Sequence, residues 1–497
     1  MALLTNSNIF VEDNLSFPNQ DDPTSSIANP EPTPNQKITE LHHGKWWTET
    51  MKRNCAQDKN EVLVPVILYQ DGIVIDQNGS LSLTPMNLSL GIFNTETRTL
   101  PEAWELIYFH PDASHEKSLH SREPTPKESL ENLHRTIEAA LESLQNYMQS
   151  SNGIQFDYLP YAGKIWKVRL KFSIAFFVGD TEHHDKLCGR YLPWNSNIKM
   201  ICRHCDCPTE FCVDPTKQAE RTLFRPSDLH PTNKELIPGY FQSISHHPIQ
   251  NAFHNLDFGS NENNIHLATP GECLHMHQLG VAKRMIEAFR FLVRGNVEDD
   301  FGPTSKHKKK RVKDTLDFIT MLAQKYGGQL SRQSDRDFPR TKFGSSILVT
   351  TKKEGHDYAG MLLGLLVALV SDRGKEILFT EREMDENRII DQVHMIELIL
   401  GMEEWLKKGQ PTRAQLTSLP AAIDDFIEKI NFNCQRSGMG TMLIKNHLYF
   451  HLPKYIEMWG PPKGWNSAPN ESHHKTEVKA PSTNFLDESA RALKRCQ

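Results

Sequence analysis

"VPVILYQDG", residues 64–72, is an apolar run that stops at an acid. Val64, Val66, Ile67, Leu68 and Tyr69 read as a strand buried on both faces, with Asp71 at its end. A second run, "VRLKFSIAFFVGD" at 168–180, alternates Val168, Leu170, Phe172, Ile174 and Phe176 with polar residues and ends in Asp180. An acid after a strand is often only a turn residue, and Asp71-Gly72 is a good turn dipeptide. Two such strands in one chain raise the question of whether the acids meet.

The elements between them bear on the answer. "LSLTPMNLSLGIF" and "WELIYF" (104–109) continue the β pattern, and the gaps hold Asp, Asn, Gly and Thr, as hairpins require. Leu130, Leu133, Ile137, Leu141, Leu144 and Met148 step by three or four, which predicts an amphipathic helix over 125–150 behind Thr125-Pro126. The order is three strands, a helix, then a strand. That order opens a ribonuclease H-like fold, in which strands one and four are neighbours. Asp71 and Asp180, 109 residues apart (180 − 71), would then lie together on a sheet edge. Paired carboxylates are hard oxygen ligands suited to Mg²⁺, and two such ions serve in-line displacement at phosphorus. Asp76 and Asp185 are nearby rivals for the two positions.

The chain has 497 residues, 38% of them hydrophobic, enough for a large core of several units. A formal charge of −6 excludes a global basic field, so any nucleic-acid contact must come from a local patch. "MALLTNSNIFVEDN" lacks the order of a signal peptide, and the longest apolar stretch, Ala359–Val370, is too short to span a bilayer. The expectation is a soluble, non-secreted protein without membrane contact. Residues 1–38, rich in Asn, Pro, Ser and Asp, read as a disordered tail. The core's first part covers 39–185, a zinc-binding insert and linker 186–262, a mostly helical insertion 263–440, the core's last part 441–485, and a tail 486–497. The helical span is broken by a basic, polar loop around 302–345 and by the apolar "SSILVTT". The fold class is mixed α/β.

Five of the nine cysteines lie between Cys188 and Cys212. Cys202-x-x-Cys205 is a zinc knuckle whose thiolates can reach one ion from one turn. Cys188 and Cys207 are the first choice for the remaining ligands, with Cys212 and His204 as substitutes. Thiolates at every position would make the metal structural. "ECLHMHQLGVAKRMIEAF" sets Glu272 and His275 on one helix face, as metal or base contacts or as a capped helix start. "HKKKRVK" supplies Lys308, Lys309, Lys310 and Arg311 for phosphate contact, nuclear import or plain solvation. In "HLYFHLPKY", His447 and His451 stand one helical turn apart and read as ordinary core or surface histidines.

Four blocks resemble Plavaka-type transposases of the Kyakuja-Dileera-Zisupton superfamily. "LVPVILYQDGIVIDQNGSLSLTPMNLSLGIFN" is similar to their first catalytic strand block, and "FFVGDTEHHDKLCGRY…CRHCDCP" to their second aspartate and zinc insert. "ECLHMHQLGVAKRMIEAF" resembles their Asp-x-x-His block, and "KNHLYFHLPKYIEMWGPPKGWNSAPNESHHKTEVKAPSTN" their C-terminal block. The resemblance implies a DDE transposase that cuts and joins DNA with Mg²⁺ (or Mn²⁺), carries a structural Zn²⁺, works in the nucleus on transposon ends and target, and assembles as a homo-oligomer. Asp71 and Asp180 match the first two acids. Glu471, 291 residues further on (471 − 180), matches the third, with His474 one turn on facing DNA. Glu272 stands where the family has Asp, and no DNA-binding domain precedes residue 40. A shortened copy, or an inactive or domesticated zinc-containing binding protein of the same descent, is the competing expectation.

Overall fold

The computed structural model describes the chain outside residues 1, 29–30, 32, 57–58, 75–81, 112–124, 193–197, 230–238, 302–305, 331–354, 435–439 and 475–497. "SSILVTT", Asp76 and the 486–497 tail lie outside the described residues. A mixed six-stranded sheet forms the centre. Its strands are β1 (Glu61–Gln70), β2 (Ile73–Val74), β3 (Ser82–Leu90), β4 (Glu105–Pro111), β5 (Ile154–Tyr161) and β6 (Lys164–Val178). β1 and β2 pair antiparallel with β3, and β4 lies on the far side of β3. β6 runs parallel to β1, and β5 closes the edge antiparallel to β6. Strand β5 is an element the sequence reading passes over. Its residues alternate only in part, and Pro160 and Asp157 mask the strand signal.

All ten residues of β1 are buried, as its unbroken apolar run demands. Helix α3 (Pro126–Gln149) begins in a capping box, with Thr125 accepting from the Glu128 N–H. It buries Leu130, Leu133, Ile137 and Leu141, and its Tyr147 meets Phe172 of β6. Ser173, the next residue, points to the opposite face, where Asn54 at the end of α2 (Lys45–Asn54) bonds its hydroxyl at 2.8 Å. The sheet is therefore covered on both sides.

The first 38 residues are not a disordered tail where described. Leu3, Leu4, Ile9, Phe10, Leu15, Phe17 and Ile38 are buried, Leu15 bridges to Phe93, and Lys37 bridges to Thr412. These apolar residues have no period, so a polar composition hides a segment that is ordered by the surface it covers. The expected basic loop is also corrected within the described part: Lys306–Leu330 is a helix.

The chain after the cysteines enters a π-helix, Cys273–Ala282. It continues through α5 (Lys283–Phe301), α6 (Lys306–Leu330), α7 (Gly355–Val370), α8 (Glu386–Lys408) and α9 (Arg413–Asn433). It returns by α10 (Ile444–His447), a 3₁₀ turn, α11 (Leu452–Trp459) and α12 (Ala468–His474). Gly460 ends α11 at φ 84°, a conformation that favours glycine, with the Glu40 carbonyl where a Cβ would be. Among the described residues no helix is long and apolar enough to cross a membrane.

Candidate metal centres

The parallel register decides the first centre. Tyr69 pairs with Val178, so Asp71 and Asp180, each two residues beyond, leave the sheet side by side. Gly179 makes the approach possible, because a Cβ there would lie 2.6 Å from the Gln70 carbonyl oxygen. Asp180 caps α4 (Thr181–Leu187) and accepts the His183 N–H at 2.6 Å. His183 Nδ1 stands 3.0 Å from Asp180 Oδ1 and 3.4 Å from Asp71 Oδ1. One donor atom from each of the three lies within 4.8 Å of the others, close enough to share an ion.

Glu471 approaches this group from the far end of the chain, against His275. Trp465 Nε1–H donates to the Gly271 carbonyl at 3.3 Å, and the Ser467 N–H to Glu272 Oε2 at 3.4 Å. These bonds dock α12, whose first turn holds Glu471. Asn470 lies inside that helix. Glu272 caps the π-helix, accepting from the Leu274 and His275 N–H groups at 2.7 and 2.6 Å, and its Oε1 meets His275 Nδ1 at 2.6 Å. His275 Nε2 then faces Glu471 Oε1 at 3.4 Å. Glu272 is therefore an orienting group, and His275 links it to Glu471.

The electrostatics follow from crowded carboxylates in a buried place. Burial raises Asp71, and the charge of Asp180 adds to it. Burial would raise Asp180 too, but the His183 hydrogen bond and the charges of His183 and His275 hold it well below the usual carboxylate range. Burial pushes Glu471 up to about 7; His275 opposes this, and Asp71, Glu272 and Asp180 reinforce it. His275 is raised to about 9 against its burial, by Glu272, Glu471 and Asp180. Glu471 Oε1 is buried and makes no hydrogen bond, its ion-pair partner being the His275 ring at 3.4 Å. The two aspartates offer the hard oxygens that Mg²⁺ or Mn²⁺ takes, and the His183 imidazole beside them is a ligand type that suits other divalent ions better.

The second centre joins Cys202 and Cys205 to His447 and His451, all buried, with their donor atoms within 4.8 Å. Cys205 Sγ is 3.3 Å from His447 Nε2, Cys202 Sγ is 3.3 Å from His451 Nε2, and the two ring nitrogens are 3.1 Å apart. A tetrahedral ion with bonds of about 2.0–2.3 Å needs ligand edges of roughly 3.3–3.8 Å, close to these. His447 Nδ1 bonds the Cys212 carbonyl at 2.9 Å, which aims Nε2 at the centre. Burial would raise the Cys202 thiol, but the Cys205 thiol and the His447 and His451 rings hold it well below its ordinary value.

This group shares Cys202 and Cys205 with the expected set and differs in the other two members. Cys188 is turned away, its thiol 3.6 Å from both the Ile265 carbonyl and the Thr269 hydroxyl. Cys207 lies against the group: Cys205 above all, and His447 against the effect of burial, hold its thiol down to about 5, and the sulfur is also 3.5 Å from the Pro208 carbonyl oxygen. Cys212 contributes its carbonyl rather than its sulfur, and His204 is held by Tyr455 and the His266 carbonyl. The centre is thus built from two distant segments rather than enclosed in an insert. The signal for it was the His-x-x-x-His spacing in "HLYFHL", which sets both rings on one helical face.

The two centres are mechanically joined. Arg203, between the two knuckle cysteines, reaches Asp185 Oδ1 at 3.3 Å, and Arg190 reaches it at 3.2 Å. Asp185 lies on α4, the helix that Asp180 caps, so this rival acid serves a fully buried ion triad instead. Lys309 and Lys310 are exposed and Arg311 half-buried in the first turns of α6. Lys308 shares that turn and His474 ends α12, and the side chains of both lie outside the described residues. Neither a family model nor a curated protein matches the sequence.

Proposed function

We propose that the chain is a DDE-type transposase of Plavaka-like descent, built on a ribonuclease H-like core, that cuts and joins DNA strands with divalent ions. The observation that supports this best is that Asp71 and Asp180 lie side by side at two parallel strand ends, with Glu471 brought into their neighbourhood against His275 by a helix that returns after the long helical span. Asp71, Asp180 and Glu471 would hold Mg²⁺ or Mn²⁺. Ions there would activate a water or a 3′ hydroxyl and stabilise the leaving oxygen. The protein's own part is to fix the carboxylates: α4 and His183 orient Asp180, and the Glu272–His275 pair orients Glu471. The Cys202, Cys205, His447 and His451 centre would take a structural Zn²⁺, since its four ligands leave no position for water. DNA ends and target, a nuclear site of action and a homo-oligomeric assembly belong to the same reading. Lys308, Lys309, Lys310, Arg311 and His474 remain its outlying DNA-contact candidates.

The test is cleavage of plasmid or hairpin-end DNA with Mg²⁺ or Mn²⁺, comparing the parent with Asp180→Asn and Glu471→Gln. Metal-dependent cutting lost in both variants supports the reading; a parent that never cuts overturns it. One observation favours a second reading, a non-catalytic zinc-containing DNA-binding protein of the same descent. His183 already lies between the two aspartates and partners them. DNA binding without cleavage in any divalent ion would select that reading.

A further inference from the structure

One cation near the acidic cluster has no assigned part. Lys445 sits on α10, two residues before the centre's ligand His447 (447 − 445). Its stem lies over Gly280 of the π-helix, where a Cβ would meet Lys445 Cδ at 3.3 Å and the His275 carbonyl oxygen at the same distance. Gly280 follows His275 by five residues, one turn of a π-helix, so Lys445 crosses the side of that helix that carries His275. Burial works against its charge, Asp180 and Glu272 favour it, and Lys283 and Arg284 oppose it. Yet among the described residues Lys445 forms no ion pair with either acid, whereas Arg284 is paired with Glu287.

A half-buried ammonium beside carboxylates ordinarily closes onto one of them. Here Glu272 has both oxygens filled by backbone N–H groups and His275, Asp180 Oδ1 takes both the His183 N–H and its ring, and Lys445 closes onto neither acid. The ammonium is left to an anion from outside. Lys283 stands in the same neighbourhood, also without an ion pair among the described residues.

We propose that Lys445, seconded by Lys283, holds a phosphate of a DNA strand against the Asp71–Asp180–Glu471 cluster, and that the Cys₂His₂ centre sets it there by fixing α10. This deepens the reading above: the acids would hold cations on one side of the phosphodiester, and Lys445 would hold its non-bridging oxygens on another. A lysine is suited to this as a point charge with rotatable donors. The phosphate contact carries no sequence information, so its loss weakens binding to all sequences alike.

The experiment uses the full chain, a short fluorescein-labelled DNA duplex and Ca²⁺ in place of Mg²⁺, so that binding is read without cutting. Lys445→Gln should bind about tenfold more weakly at low salt, and the slope of log affinity against log salt should fall by about one. Lys445→Arg should keep the parent's affinity and slope. Zinc content and melting temperature, measured on the same preparations, should be unchanged in both. Equal affinity and slope in parent and Lys445→Gln overturn the proposal, as does a parent that binds no DNA. Cleavage in Mg²⁺ is scored separately. If the parent does not cut while Lys445→Gln still loses a phosphate contact, the catalytic reading fails and the phosphate site stands. If the parent cuts and Lys445→Gln binds and cuts alike, the reverse holds.

Discussion

His447→Ala is the substitution that most sharply separates the proposed Cys₂His₂ centre from the all-cysteine one its sequence suggests. The ring is fully buried, its Nε2 faces Cys205 at 3.3 Å, and its Nδ1 partners the Cys212 carbonyl at 2.9 Å. Structural zinc is worth about 10–16 kcal/mol in small zinc-dependent peptides. Losing even a third of that, roughly 4 kcal/mol, is comparable with the whole stability of many domains, about 5–15 kcal/mol. The stranded Cys212 carbonyl adds about 1–3 kcal/mol. His447→Ala should therefore cost about 5–7 kcal/mol and the bound metal. Cys188→Ser should cost only about 1 kcal/mol, because a hydroxyl can still donate to the Ile265 carbonyl, and should leave the metal in place. The assay is metal content per chain by mass spectrometry, with urea unfolding on the same samples. His447→Cys supplies a replacement thiolate and should recover most of the zinc, which guards against a variant that merely misfolds. A zinc-free Cys188→Ser beside a zinc-loaded His447→Ala would refute the ligand assignment.

Glu471→Gln should abolish metal-dependent cleavage and at the same time stabilise the protein in Mg²⁺-free buffer without chelator. Its acid form is favoured on folding, so stability falls as pH rises from 4.5 to about 7 and stays low above that. The full rise corresponds to roughly 3 kcal/mol; partial exposure and the lost partner His275 reduce the expected gain at pH 8 to about 1–2 kcal/mol, and a loss of stability there would contradict this account. Gly179→Ala should cost about 1–3 kcal/mol and weaken Mn²⁺ binding, since its Cβ would push β6 from the Gln70 carbonyl and Asp180 from Asp71; calorimetric titration showing parental affinity would count against it. His134 is held neutral by burial, down to about 4, with its ring bonding the Lys186 carbonyl and the Ala252 N–H. The unfolded chain takes up that proton near 6.5 and the folded chain only near 4, so stability should drop as pH falls through that window, by roughly 3 kcal/mol from this residue; His134→Gln should flatten the urea midpoint there.

The sequence by itself determined the strands ending at Asp71 and Asp180, the Thr125-capped helix and the knuckle Cys202-x-x-Cys205, because each is written in local period or spacing. An unbroken apolar run needs two covered faces, and a Thr-Pro-x-Glu start caps its own helix. What only the tertiary structure decided are the partners that meet from far apart. Glu471 comes against His275, near the aspartates, because Trp465 and Ser467 dock onto Gly271 and Glu272, contacts with no local signature. The ligands His447 and His451 look like any helical histidine pair until the fold lays them against a knuckle more than 240 residues earlier (447 − 205 = 242). The buried N-terminal segment is the converse case: its polar composition argues for disorder, and Leu3, Phe10 and Phe17 are ordered only by the surface that awaits them. Local rules fix which way a strand or helix forms, but a shared ion, a docked carboxylate or a covering segment depends on surfaces that exist only once the chain has folded.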